Sequence, residues 1–179
     1  KAPFLTLVAG ASVVKALSNL DVEASIKWPN DIIVHNKKIC GILTELSAEM
    51  ERVNYVVIGI GINIKTIDFP DEIKEKATSL YKEGYKLSRV DIVRQFCIEF
   101  EKLYKGYILD GNKQDTLELC RKYSAIIGKQ VYVIKNNKRE LVKCIDINEN
   151  GNLIVKEKNG EIQEIMSGEV SIRGVKGYV

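Results

Sequence analysis

Residues 27–45 read KWPNDIIVHNKKICGILTE, and residues 57–63 read VIGIGIN. Their β-branched runs and the polar turn at residues 35–37 indicate three consecutive strands. Glycines and polar side chains are concentrated on these strands. That combination is typical of a sheet in which one face holds a ligand and the other face belongs to the core.

The strand predicted over residues 54–64 has two different faces. Side chains alternate along a strand, so the isoleucines at alternate positions from 58 to 64 share a core face. Gly59, Gly61 and Asn63 share the opposite face. Glycine weakens a strand interior, and it is found where another group approaches the backbone closely. A ligand on this face and a helix packed against it are both open explanations.

The returning strand of the hairpin carries Lys38 near its start, then Gly41 and Glu45. Strict alternation places Lys38 and Gly41 on opposite faces, so one ligand contacts both only if a β-bulge or a twist intervenes. A lysine beside a turn is more often a solvated surface residue. Both interpretations of Lys38 stay open at this point.

The KWPND segment contains the chain's single tryptophan, Trp28, which we expect to anchor the core. Pro29 ends the short strand before it. Asn30 and Asp31 then follow a strand end, where polar side chains either cap a turn or face a ligand.

The remaining pattern predicts an α+β fold with an antiparallel or mixed sheet and helices on one face. Helices are expected over residues 4–20, 88–107 (with Ser88 as N-cap) and 115–123, and a loop with a short helix over 68–86. Five short strands follow, at residues 131–134, 140–147, 153–155, 162–165 and 170–173, with Asn-Asn or Asn-Gly turns at 136–137, 150–151 and 159–160. They predict a small β-barrel. We therefore expect two domains, 1–125 and 126–179.

The composition is that of a globular domain, with 179 residues, 45% hydrophobic residues and 28% charged residues. A net charge of +3 gives no sign of nucleic-acid binding, and neither a membrane-spanning run nor a secretory signal is visible. Four scattered cysteines and one histidine do not form a zinc pattern, so we assign no metal site to the protein's own side chains. Unpaired cysteines favour a reducing compartment, and we expect a cytoplasmic protein.

Taken together, these motifs resemble the biotin–protein ligase family. KWPND, then KxxGIL with an acidic residue two positions on (38–45), then GxGIN (59–63), follow one another in the family's order and spacing. The segment GEVSIR at 168–173 is similar to the family's closing strand. The resemblance covers most of the chain and implies a class II synthetase-like catalytic domain followed by an SH3-like barrel.

The family's GRGRxGR loop, which precedes KWPND and folds over the ligands, is absent from this sequence. We expect residues 1–125 to correspond to the C-terminal part of the catalytic domain, and we expect further sequence upstream of Lys1.

The resemblance implies a two-step reaction. Biotin and ATP form biotinyl-5′-AMP, and biotin is then transferred to a lysine of a biotin carboxyl carrier protein. By the same resemblance, Lys38, Lys27 and Asp31 are the catalytic residues. Biotin binding is assigned to Lys38, Gly41, Leu43, Gly59 and Gly61, and nucleotide binding to Asn30, Asn63, Glu169 and Arg173. Magnesium would bridge the phosphates, with Asp31 as a candidate contact.

Strand edges near residues 47–54 could pair across a two-fold axis, which suggests a homodimer. Two other functions stay open. One is a lipoate–protein ligase-like acyltransferase, which shares the fold type and uses a comparable lysine. The other is a non-catalytic biotin-binding or regulatory fragment that lacks the activation loop. The chain shows no DNA-binding domain.

Overall fold

A four-stranded antiparallel sheet forms the first part of the protein. Its strands are β1 (Ser25–Lys27), β2 (Asp31–Val34), β3 (Lys37–Glu49) and β4 (Arg52–Ile62), and they lie side by side in that order. The computed structural model describes residues 2–49, 52–135, 138–167, 171–175 and 178–179. The three strands predicted from residues 27–64 are therefore confirmed, with β3 longer at both ends than the sequence suggested.

One face of this sheet is covered by α1 (Ala2–Ser18), which contacts all four strands. The helices α2 (Arg89–Leu109) and α3 (Gln114–Lys122) pack on α1 from its other sides. Because α1 lies between a sheet and two helices, it is apolar nearly all round, with Val8, Ala11 and Leu17 fully buried. No helix in the described parts of the chain has the length and apolar character that a membrane span requires.

The N-cap predicted at Ser88 is confirmed, since its hydroxyl accepts a hydrogen bond from the Asp91 N–H. The short helix predicted within residues 68–86 is wrong, because the described backbone there forms turns and one isolated β-bridge, between Ala77 and Lys38. Two hydrogen bonds accompany this bridge. The Lys38 N–H donates to the Lys76 carbonyl at 2.7 Å, and the Thr78 N–H donates to the Lys38 carbonyl at 2.9 Å. The loop is therefore bonded to the start of β3.

The C-terminal part is a second antiparallel sheet. Its strands are β5 (Gln130–Lys135), β6 (Lys138–Ile147), β7 (Leu153–Lys156), β8 (Ile162–Ile165) and β9 (Ser171–Gly174). The order across the sheet is β8-β7-β6-β5-β9, so β9 returns to lie beside β5. All five predicted strands are present, although no ladder among the described residues joins β8 to β9. The predicted α+β class is confirmed, whereas the domain boundary near residue 125 stays a prediction.

The Asn-Gly turns at 150–151 and 159–160 are confirmed, since Gly151 and Gly160 adopt left-handed φ values of +84° and +94°. The turn expected at residues 136–137 lies outside the described residues. Gly151 also joins the two parts of the protein. The buried Trp28 indole, which precedes a cis peptide to Pro29, donates from Nε1 to the Gly151 carbonyl at 3.0 Å. Trp28 is thus a core anchor, as predicted.

Close packing surrounds the Gly151 backbone. A Cβ atom built there would lie 2.4 Å from Leu7 Cδ1 and 3.3 Å from Phe4 Cδ2, both on α1. Nearby, the Arg121 guanidinium at the end of α3 pairs with the Asp146 carboxylate of β6 at 2.8 Å. The turn between β6 and β7 is therefore packed against α1 and bonded to Trp28, and an ion pair joins the end of β6 to α3.

Replacing Gly151 tests this junction, with Gly160 as the matched control. Both substitutions to alanine place a side chain on a left-handed backbone. Only the Gly151→Ala methyl meets neighbouring side chains closely, because a Cβ at Gly160 has just Lys156 Cε at 4.0 Å. We expect Gly151→Ala to lower the free energy of unfolding by about 1–3 kcal/mol more than Gly160→Ala in urea denaturation. Equal losses would contradict the packing argument.

Candidate functional site

A row of directly paired residues crosses all four strands of the first sheet. Lys27 of β1 pairs with Asp31 of β2, Asp31 pairs with Gly41 of β3, and Gly41 pairs with Gly61 of β4. Directly paired residues project from the same face of a sheet. The sequence therefore brings a cation, a carboxylate and two glycines together on the face opposite α1.

A β-bulge adds Lys38 to this face. Ile32 pairs with Cys40 and Ile33 pairs with Lys38, so Ile39 is the extra residue of β3. The irregularity that the sequence required for joint contact by Lys38 and Gly41 is thus present. The Lys38 ammonium forms an ion pair with Oδ1 of Asp31, and it lies 3.0 Å from where a Cβ of Gly41 would be. The Lys38 side chain is 37% exposed but paired with Asp31, so it is more than a solvated surface lysine, and its role in a site stays a prediction.

The glycines leave the floor of the site open. A Cβ on Gly61 would meet nothing within 4 Å, and one on Gly59 would meet only the Leu43 carbonyl at 3.7 Å. Leu43 and Val57 lie on the same face and are 62% and 50% exposed. The alternative of a helix packed on these glycines is wrong for the described structure. A side chain at Gly41, in contrast, would displace the Lys38 amine.

Lys27 is an unusual cation because it is almost fully buried, with 2% exposure. Its Nζ has no hydrogen-bond partner among the described residues, and it lies 3.3 Å from the centroid of the Tyr178 ring. The pKa of Lys27 is lowered to about 8, chiefly by burial and also by the neighbouring Arg173 charge. Asp31 opposes this shift without cancelling it.

Tyr178 contacts the site through both its ring and its hydroxyl. The hydroxyl donates to Oδ2 of Asp31 while the ring covers Lys27. Burial, and then the Asp31 carboxylate, raise the pKa of Tyr178 above its ordinary value. Asp31 therefore has two partners: Oδ1 forms an ion pair with the Lys38 ammonium, and Oδ2 accepts a hydrogen bond from the Tyr178 hydroxyl.

These side chains line a cleft of about 540 Å³. Its walls are formed by Asp31, Lys38, Ile39, Cys40, Gly41, Gly61, Asn63, Ile73, Lys76, Ala77, Arg173 and Tyr178. Three lysine or arginine side chains face one carboxylate among these residues, so the cleft is suited to anions. Sequence reasoning missed Lys76 and Tyr178. Lys76 lies in an irregular charged loop and Tyr178 follows the last strand, and no periodic pattern marks either one.

Several residues predicted for the site are placed elsewhere. The Asn30 amide donates to the Ile42 carbonyl at 2.9 Å, so it supports the β3 backbone. Asn30 and Leu43 line a separate depression of about 290 Å³. Asn63 does reach the main cleft, where its amide donates to the Thr78 carbonyl at 3.1 Å. Glu169 lies outside the described residues.

The side chains of the cleft do not form a binding site for a resident metal ion. No group of three or more His, Cys, Asp or Glu residues with metal-binding geometry is present in the described parts of the chain. Asp31 is the one acid among the lining residues, and its oxygens contact Lys38 and Tyr178. Burial raises the pKa of the Cys40 thiol to about 12, which keeps it protonated and a poor metal ligand.

Two family models match the two ends of the chain. The biotin/lipoate A/B protein ligase family model matches residues 1–63, and the biotin protein ligase C terminal domain model matches residues 126–173. The chain belongs to the biotin protein ligase family. The matched regions contain every motif on which the resemblance was based, including the KWPND, KxxGIL and GxGIN segments.

Named relatives agree with this assignment. The bifunctional ligase/repressor BirA of Bacillus subtilis is 38% identical over 176 residues, which cover 96% of this chain and 54% of the relative. The human biotin–protein ligase is 29% identical over 170 residues, which cover 89% of this chain and 23% of the relative. The chain thus spans about half the length of the bacterial BirA relatives that it matches.

Solved structures give the same result for the fold. The apo biotin protein ligase of Aquifex aeolicus superposes with a TM-score of 0.83 at 29% identity, covering 96% of this chain and 75% of that chain. The Aquifex aeolicus ligase in complex with biotin and ATP has a TM-score of 0.82 at 29% identity, covering 96% and 71%.

The titration of Lys27 offers a direct test of this geometry. We expect its side chain to lose its proton near pH 8, below the ordinary value of 10.5, in an NMR titration of labelled lysines assigned with Lys27→Arg. Between these pH values the folded protein binds fewer protons at Lys27 than the unfolded chain does. The charged Lys27 therefore lowers the free energy of unfolding at low pH, and this loss is relieved as pH rises from 8 to 10.5. Arg173→Ala should raise the Lys27 pKa. A Lys27 that stays charged above pH 10 would contradict the prediction.

Proposed function

We propose that the protein is an ATP-dependent biotin–protein ligase. It activates biotin to biotinyl-5′-AMP and then transfers the biotinyl group to a lysine of a biotin carboxyl carrier protein. The observation that carries the proposal is the Lys38 amine, fixed by Asp31 and the bulge at the edge of a glycine-lined sheet face. Family membership supports the choice of reaction.

The first step brings two anions together, and the cleft supplies the opposite charge. A carboxylate oxygen of biotin forms a bond to the α-phosphorus of ATP while the bond from that phosphorus to pyrophosphate breaks. Charge develops on the phosphate oxygens, and fixed cations stabilise it without reorganisation. Lys38, Lys76 and Arg173 line the cleft, and Lys27 lies buried beside it under the Tyr178 ring.

The second step uses the same cations. The acceptor's lysine amine attacks the carbonyl carbon of the mixed anhydride, the bond from that carbon to the phosphate oxygen breaks, and AMP leaves with the electron pair. Lys38 would stabilise the departing phosphate, because its amine lies beside Gly41 in the same cleft as Arg173 and Lys76.

The exposed sheet face provides a flat, apolar surface for the ring and chain of biotin. Gly41, Gly59 and Gly61 leave room above the backbone, and Leu43 supplies an apolar edge. Asn63 and Arg173 line the cleft and would contact the nucleotide. The roles of Asn30 and Glu169 in nucleotide binding stay predictions. Asn30 would need to release the Ile42 carbonyl before its amide could bind adenine.

Magnesium would enter with the nucleotide. Mg²⁺ in such sites is held mainly by substrate phosphates and water, with one or two carboxylates. Asp31 is the candidate carboxylate, and it would have to exchange a contact with Lys38 or Tyr178 for the hydrated ion.

The chain is expected to work in the cytoplasm as two domains, 1–125 and 126–179. The cysteines Cys40, Cys97, Cys120 and Cys144 are free thiols, which suits a reducing compartment. The family matches to residues 1–63 and 126–173 support the division.

A lipoate–protein ligase is the second candidate, because the family model that matches residues 1–63 covers both activities. Its acyl group would use the same carboxylate activation at Lys38. Calorimetric titration of biotin and lipoate in parallel separates the two candidates, since a biotin ligase should bind biotin much more tightly.

Substitution of Lys38 tests the proposed reaction, with the neighbouring Lys37 as the matched control. Lys38→Ala should lower the rate of biotin-dependent pyrophosphate–ATP exchange by about 10²–10³, because it removes a fixed charge from the transition state. Lys37→Ala should have little effect, since Lys37 does not line the cleft. Normal exchange by Lys38→Ala would refute the mechanism. Biotin binding without any exchange by the unmodified protein would instead indicate a non-catalytic binding module.

A homodimer is proposed through the edge of β4 and the tip of the β3–β4 hairpin. β4 is an edge strand in the described sheet, and Leu46, Val53 and Tyr55 near the tip are half or more exposed. In sedimentation equilibrium, Tyr55→Asp should shift the protein towards monomer. Tyr81→Asp, which changes an exposed loop tyrosine instead, should not. A protein that is monomeric at every workable concentration would rule out the dimer.

A further inference from the structure

Tyr178, which follows β9 in the sequence, lines the cleft. It makes two described contacts there: its hydroxyl donates to Asp31, and its ring covers the Lys27 ammonium. No sequence motif that predicted the site includes this tyrosine. A residue near the end of the chain thus contacts two of the charged groups proposed for catalysis.

Gly174 makes this placement of Tyr178 possible. It is buried at the end of β9, and a Cβ built on it would lie 2.2 Å from the carbonyl carbon of Val179 and 2.6 Å from its oxygen. Those neighbours are backbone atoms, so a side chain at Gly174 would force residues 178–179 to move. The position of Tyr178 therefore depends on a glycine that does not itself line the cleft.

The two contacts of Tyr178 have different consequences for the charges. A hydrogen bond to Oδ2 fixes the rotation of the Asp31 carboxylate, so that Oδ1 stays directed at Lys38. An aromatic ring attracts an ammonium group without neutralising it. Lys27 thus keeps its positive charge beneath the ring, whereas a carboxylate partner would cancel that charge.

We propose that Tyr178 is a positioning residue for the adenylation step: it orients Asp31 for its pair with Lys38 and holds the Lys27 ammonium beneath its ring, next to the cleft. This inference rests on the proposed ligase function. Tyr178 does not exchange a proton or contact a reacting atom in this role. It acts through the two charged side chains that do.

Steady-state kinetics of adenylate formation by the intact protein tests the proposal. Tyr178→Leu removes ring and hydroxyl, Tyr178→Phe keeps the ring, and Gly174→Ala displaces residues 178–179 with Tyr178 unchanged. We expect Tyr178→Leu and Gly174→Ala to lower kcat by about tenfold or more, with the KM for biotin changed by less than about twofold. Tyr178→Phe should lose less. Gly106→Ala is the matched glycine control, because its Cβ would meet nothing within 4 Å.

A second measurement reports the position of residues 178–179, called the tail here, without requiring turnover. Brief acetylation followed by peptide mass spectrometry should find Lys27 protected in the unmodified protein and in Tyr178→Phe. Lys27 should be acetylated several-fold faster in Tyr178→Leu and Gly174→Ala, since the ring no longer covers it. Urea unfolding of each variant identifies any that fail to fold, and Tyr178→Phe keeps the test valid in that case.

The outcomes are distinguishable. Lys27 labelling as expected, together with no adenylate from the unmodified protein, would overturn the ligase function. An active enzyme whose kcat is unchanged in Tyr178→Leu and Gly174→Ala, or whose Lys27 labelling is the same in all variants, would overturn the positioning role. Faster turnover in these variants would also overturn it, because the tail would then obstruct the cleft.

Discussion

The ion pair between Lys38 and Asp31 is the contact around which the site is built. It exists because one extra residue in β3, Ile39, turns Lys38 onto the same face as Gly41. It also requires Gly41 to lack a side chain, since a Cβ would lie 3.0 Å from the lysine nitrogen. The bulge at Ile39, the missing side chain of Gly41 and the Asp31 carboxylate together fix the position of the Lys38 amine. A change in any one of them is expected to move it.

The charges around this pair are arranged for an anionic ligand. Lys27 is buried without a hydrogen-bond partner among the described residues, and Arg173 lies close enough to lower its pKa. Such concentration of like charge is costly in the unliganded protein. A bound anion would relieve this repulsion, because each cation would then have an opposite charge nearby.

Much of this site could be predicted from the sequence, and what could not has a physical reason. Alternation along β4 separated the isoleucine face from the glycine face correctly, because strand periodicity is local. Local rules also stated the condition under which Lys38 and Gly41 meet, although they could not place the bulge. From sequence, Asn30 could equally cap a turn or bind a ligand. In the folded protein its amide donates a hydrogen bond to the Ile42 carbonyl, a tertiary contact that the local sequence does not encode. The contribution of Tyr178 depends on a contact with Asp31 across 147 positions of sequence, which no periodicity encodes.

The two sides of the cleft are attached to the protein by different kinds of bond. The loop that carries Lys76 forms main-chain hydrogen bonds with both the N–H and the carbonyl of Lys38. It cannot move away unless these bonds at the start of β3 break. The opposite side is closed by a tyrosine whose described contacts are made by its side chain alone. The side formed by Tyr178 is therefore expected to open more easily than the loop side, because a rotamer change of one side chain suffices there.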